Sequence, residues 1–93
     1  MKDKFSISDF VNVLTEQSVK HEIAQRFKER RNEFKITQKA LSKRSGISYA
    51  SIRRFESKGE ISLHALLRLS SVIGCLEDFN NLFEYPIVKD IRQ

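Results

Sequence analysis

Gly46 splits the stretch Thr37–Glu56 into two short runs, each with its apolar residues at helical spacing. Few backbone paths satisfy this pattern. Thr37 is a good N-cap for a first helix ending near Ser45, with Ala40 and Leu41 facing inward. Gly46 supplies a residue free to take positive φ at that helix's end. Ser48 then caps a second helix running to about Ser57, with Ile52 and Phe55 inward. Two helices crossing this closely need four things: Leu41 and Ile47 to bury the junction, a small residue such as Ser42 at the crossing, a glycine at the corner, and Ile52 and Phe55 to seat the second helix on the first.

The flanking segments carry the same period. Ile7, Phe10, Val11 and Leu14 predict an amphipathic helix from Ser6 to about Gln17, with Ser6 and Asp9 as a capping box. Ile23, Ala24, Phe27 and Phe34 predict the inner stripe of a helix from about Val19 to Phe34, with Lys20, Arg26, Lys28, Arg30 and Lys35 on its outer face. Lys58-Gly59-Glu60 predicts a turn. Ser62 caps a further helix with Leu63, Leu66, Leu67, Ser70 and Ile73 on one face, stopped by Gly74. Leu76, Phe79, Leu82 and Phe83 predict a short last helix, and Glu84-Tyr85-Pro86-Ile87-Val88 an extended tail. The expected fold is all-α and compact, with five to six helices. Its expected units are an N-terminal helix over 1–18, a central domain over 19–83 and a tail over 84–93.

Charge narrows the partner. The formal net charge of +5 is unevenly spread. Between Val19 and Glu60 stand twelve Lys/Arg against five Asp/Glu, while each flank is near neutral. A basic middle of this kind is a footprint for a polyanion, although a solvated charged surface looks the same in composition. Asp9, Glu16, Glu22, Glu29 and Glu33 are scattered over helix surfaces, and no Gly-rich phosphate loop or Ser/His/Asp arrangement accompanies them, so no enzyme is expected. Cys75 is the single cysteine, which allows no internal disulfide and suits a reducing cytoplasm. With only His21 and His64 to join it, and no zinc spacing among the three, neither metal nor cofactor is expected, and buried packing is the reading for the thiol. No apolar run approaches the ~20 residues of a membrane span, and Met1-Lys2-Asp3-Lys4-Phe5 does not open a secretory signal.

The segment Thr37-Gln38, Leu41-Ser42, Gly46-Ile47-Ser48, Ile52 and Phe55-Glu56, followed by Ser62-Leu63, closely resembles the Cro/C1-repressor (Xre) helix-turn-helix family. The likeness covers roughly Ile23 to Phe83 and implies a lambda-repressor-like domain. Ser42 and Ser45 depart from the family's usual alanines, and Lys35 stands where glycine is frequent. The resemblance implies that Gln38 contacts a phosphate at a helix N-terminus, with Thr37 adding a second contact. It implies that helix 48–57 enters the major groove with Ser48, Tyr49, Ala50, Arg53 and Arg54 outward. Tyr49, Ala50 and Arg54 match base-reading positions, Arg54 as a two-donor partner of guanine. Ser51, Ser57 and Lys58 would hold the backbone. Arg31 and Glu56 are implied to form a buried, structural ion pair. Each position has a plainer reading: Tyr49 packed on the preceding helix, Arg53 solvated, Arg54 on a phosphate, Gln38 a surface residue.

The function implied is that of a sequence-specific regulator, most simply a repressor of its own promoter, acting as a homodimer on a palindromic operator. Helix 6–17 and the run Leu76–Val88 are the candidate dimer surfaces, with packing onto the same core as their alternative. The stretches Gly59–Leu67 and Leu76–Phe83 further resemble HipB-like antitoxins, which hold a HipA-type kinase toxin and repress the shared operon. A phage repressor, a restriction–modification controller, and a protein-interaction module without DNA binding are the alternatives.

Overall fold

The computed structural model describes residues 14–86. Four α-helices and one 3-10 helix make up its regular structure: α1 (Glu16–Glu33), α2 (Gln38–Ser45), α3 (Tyr49–Lys58), α4 (Leu63–Val72) and a 3-10 turn at Leu76–Phe79. No strand occurs among the described residues. No helix there is long and apolar enough to cross a membrane.

Every α-helix begins on a hydroxyl. Thr15, Thr37, Ser48 and Ser62 each accept a hydrogen bond from the backbone N–H three residues on. One such cap stabilises a helix by about 1 kcal/mol. At α1 the cap is reciprocal, because the Ser18 hydroxyl accepts from the Thr15 N–H. This capping box starts the helix at Glu16, three residues before the start expected near Val19. Leu14, placed by the sequence on the inner stripe of an earlier helix, is 85% exposed. The rest of that expected helix, including the Ser6/Asp9 box and Ile7, Phe10 and Val11, lies outside the described residues.

The core is a cluster of Ala24, Phe27, Ile36, Leu41, Ile52, Phe55, Leu69, Ile73 and Cys75. Phe27 of α1 meets Phe55 of α3 edge to face, with centroids 5.4 Å apart. Such a pair adds roughly 0.5–1.5 kcal/mol beyond its burial. Helix α1 thus packs on α3, while α2 bridges α3 and α4. Cys75 is buried, and desolvation pushes its thiol above the ordinary value. The nearby Ser70 hydroxyl offsets part of that shift, although among the described residues it has no hydrogen-bond partner of proper geometry.

Several inward assignments are corrected. Ile23 and Phe34 are exposed, because the buried line of α1 runs Ala24, Phe27, Arg31. An arginine at the last of these positions conceals the stripe from an apolar count. In α4 the buried line is Ala65, Leu69, Ser70, so Leu63 faces out and Leu69, absent from the expected stripe, is fully buried. The expected last helix is a single 3-10 turn, with Leu82 and Phe83 exposed beyond it. The five to six helices expected therefore reduce to four plus that turn among the described residues. Glu84–Pro86 is irregular, and the remainder of the tail lies outside them.

Candidate nucleic-acid interface

The corner between α2 and α3 is built largely by serines. Gly46 closes α2 at φ 80°, with its N–H on the Ser42 carbonyl. Ser42 Oγ donates to the Ile47 carbonyl at 2.6 Å, and Ser45 Oγ accepts from the Ile47 N–H at 3.0 Å. Both polar groups of Ile47 are thereby satisfied inside the turn. Arg68 of α4 donates through Nε and Nη2 to the Ser45 carbonyl, one of the last of α2. A helix C-terminus leaves such carbonyls without internal partners, and a cation there also complements the helix dipole. The serines that depart from the resemblance are working parts of the corner.

Below the corner, Glu56 ties three helices together. Arg31 of α1 places Nε 2.6 Å from Glu56 Oε2 and Nη2 2.9 Å from Oε1. Its Nη1 donates to the Ile36 carbonyl at 2.9 Å. Gln38 of α2 donates Nε2 to Glu56 Oε1 at 2.8 Å. The Arg31 and Glu56 side chains are only 8% and 4% exposed. Two charges this deep are tolerable because the fork is two-pronged and the third nitrogen reaches a carbonyl. The clamp fixes Gln38 at the first turn of α2, beside N–H groups that the helix does not use. Among the described residues, one amide hydrogen of Gln38 has no acceptor, nor does the hydroxyl hydrogen of Thr37, whose oxygen accepts the Ala40 N–H.

On α3 the sequence-predicted residues share one outward face. Tyr49, Ala50, Arg53 and Arg54 are exposed, as are Ser48, Ser57 and Lys58, whereas Ser51 is half-buried. Ser48 and Ser51 are bonded to each other, and the Ser57 hydroxyl donates back to the Arg53 and Arg54 carbonyls. The Tyr49 ring meets two cations, with Lys39 Nζ and Arg53 Cζ each 5.5 Å from its centroid. The ring is 38% exposed, with Lys39 of α2 over its face. Arg54 is paired: Nη2 lies 2.7 Å and Nε 3.1 Å from Glu60 Oε1. That cation holds the Glu60 carboxyl below its ordinary value.

A shallow open concavity runs across this face, and Lys28 of α1 stands on its rim with Gln38, Arg53 and Lys58. Lys28 was legible only as one of several outer-face cations on its helix, because its approach to α3 depends on how α1 crosses it. Exposed Lys39, Lys43 and Arg44 extend the basic surface along α2. Among the described residues no group of His, Cys, Asp and Glu is arranged to hold a metal ion.

Comparison with known proteins agrees with this geometry. A family model described as Helix-turn-helix, of the Cro/C1 type, matches residues 27–79. No curated protein and no solved structure matches the chain. The matched residues take in Arg31, the two-helix corner, the whole exposed face of α3, and α4 with the 3-10 turn, so the chain is a member of the Cro/C1-type helix-turn-helix family.

Proposed function

We propose that the protein is a sequence-specific DNA-binding regulator that lays α3 in the major groove. One observation carries the reading: an exposed helix face bearing Tyr49, Ala50, Arg53 and Arg54 stands beside the N-terminus of α2, with Lys28, Lys39, Lys43 and Lys58 around it. Backbone contacts set register, and base edges supply selectivity. Gln38 and Thr37 approach one phosphate at the α2 N-terminus, where orphan N–H groups and the helix dipole favour an anion. Ser48, Ser51, Ser57 and Lys58 lie along the strand that borders α3. Ala50 and the Tyr49 ring suit a thymine methyl, and Arg54 suits guanine.

Binding of duplex DNA across a salt series tests this. Neutralising several phosphates makes log K fall linearly with log salt, with a slope of about −0.9 per phosphate. Replacing Lys58 with Ala lowers affinity for all sequences alike and flattens that slope by about one contact. Arg54→Ala instead relaxes preference at one base pair, a discrimination of about 1–3 kcal/mol. No salt response in the parent protein contradicts the reading and favours a protein-interaction module.

One domain of this size covers few base pairs. A homodimer on half-sites about 34–36 Å apart supplies the missing affinity and makes the operator palindromic. Autorepression follows if that operator lies upstream of the protein's own gene. The antitoxin role is the finer reading, supported by the likeness of Gly59–Leu67 and Leu76–Phe83 to HipB-like proteins. Co-purification with the product of an adjacent kinase-like gene tests it. A neighbourhood without such a gene favours a stand-alone repressor or a restriction–modification controller.

A further inference from the structure

We propose that Glu60, a residue outside α3, is a positioning residue that aims Arg54 at its base pair. The inference rests on the DNA-reading function proposed above. Arg54 Nε and Nη2 converge on one Glu60 oxygen at 3.1 and 2.7 Å. A guanidinium carries five N–H donors in a rigid plane. The pair consumes the side edge of that plane and leaves the end edge, the Nη1 hydrogens and one on Nη2. That end edge is the fork that meets guanine O6 and N7.

Glu60 is anchored well enough to act as a strut. It follows Gly59, whose N–H bonds the Phe55 carbonyl at 2.7 Å and whose backbone lies against Lys20 of α1. A Cβ on Gly59 would come within 2.8 Å of Lys20 Cβ and 2.9 Å of its carbonyl. The carboxylate therefore projects from a fixed point between α3 and α4, beside the concavity formed by Ser51, Arg54, Ile61 and Ser62. Fold stability does not explain the contact, because both side chains are well exposed, at 64% and 44%, and such pairs contribute little. Besides Arg54, the cations near Glu60 are Lys20 and Lys58, and its ordinary ionisation is shifted down chiefly by Arg54. An anion at this place also repels neighbouring phosphates. Glu60 thus weakens indiscriminate binding while fixing the geometry of selective binding.

The test is a panel of duplexes carrying each base pair at every position of the selected site. With Glu60→Ala, affinity for unrelated duplex rises severalfold, and discrimination at the Arg54 base pair falls by about fivefold or more. Glu60→Gln, which keeps an acceptor oxygen, retains part of the discrimination. In an Arg54→Ala background Glu60→Ala changes discrimination no further, which a merely structural role would not produce. Thermal melting midpoints of all variants stay at that of the parent, as surface changes leave them. Unchanged base preference in Glu60→Ala, or an equal loss in the Arg54→Ala background, overturns the proposal alone. A parent protein that selects no sequence overturns the DNA-reading function along with it.

Discussion

At the scale of single residues, Lys35 shows most clearly how a departure from pattern reads in three dimensions. α1 ends in a Schellman motif: the Lys35 N–H bonds the Asn32 carbonyl at 2.9 Å and the Ile36 N–H reaches the Arg31 carbonyl at 3.4 Å. That motif requires a left-handed residue, and Lys35 sits at φ 60°. α4 ends the same way, with Gly74 at φ 74° in the equivalent place. A side chain in this conformation costs roughly 1–2 kcal/mol, part of which glycine returns through the entropy of the unfolded chain. Lys35→Gly is therefore expected to raise stability by about 0.5–1 kcal/mol, read from urea midpoints at unchanged m. An unchanged or lower midpoint refutes the strain. The resemblance exposed the missing glycine in the sequence, but the positive φ behind it was visible only in the backbone.

At the scale of elements, three of the four hydroxyl caps, Thr37, Ser48 and Ser62, and the two turn glycines were legible in the sequence, since each is a local choice with a local cause, whereas the Thr15 cap was hidden inside the earlier helix expected to run to Gln17. Buried faces were harder to read. Arg31 occupies a core position in α1 because Glu56, twenty-five residues away in sequence, neutralises it there. Periodicity counts apolar residues and cannot see a paired charge taking the place of one. Leu69 was missed because α4 is rich in leucine on several sides, and only its packing against α2 and the 3-10 turn selects the buried line. The two turn glycines then differ in what surrounds them. Gly46 has only the Arg68 guanidinium near its would-be Cβ, at 3.8 Å, whereas Gly59 has the Lys20 backbone at 2.9 Å. Gly46→Ala is expected to cost about 1–2 kcal/mol, the conformational penalty alone. Gly59→Ala costs distinctly more, because α1 and α3 must separate, and thermal melts of the two variants side by side read the difference. Equal losses contradict the close approach.

For the whole molecule, the Arg31–Glu56–Gln38 clamp links the fold to the surface proposed to meet DNA. Arg31→Met strands a buried carboxylate and is expected to cost roughly 3–5 kcal/mol. The double variant Arg31→Met/Glu56→Leu recovers most of that loss, while still releasing Gln38 and weakening phosphate binding at the α2 N-terminus. Chemical denaturation and duplex binding on the same preparations separate the two effects; a double variant as unstable as the single one contradicts the stranded charge. The basic middle of the chain was readable from the sequence. The surface it forms was only partly so, because Lys28 joins it through the packing of α1 on α3. The most direct measurement is selection of duplexes from a randomised pool by the intact protein and by Arg53→Ala/Arg54→Ala. The intact protein is expected to enrich one short motif, and the variant, still folded, to lose it. A parent protein that enriches no motif, or a variant that enriches the same motif equally well, contradicts the claim that α3 reads the groove.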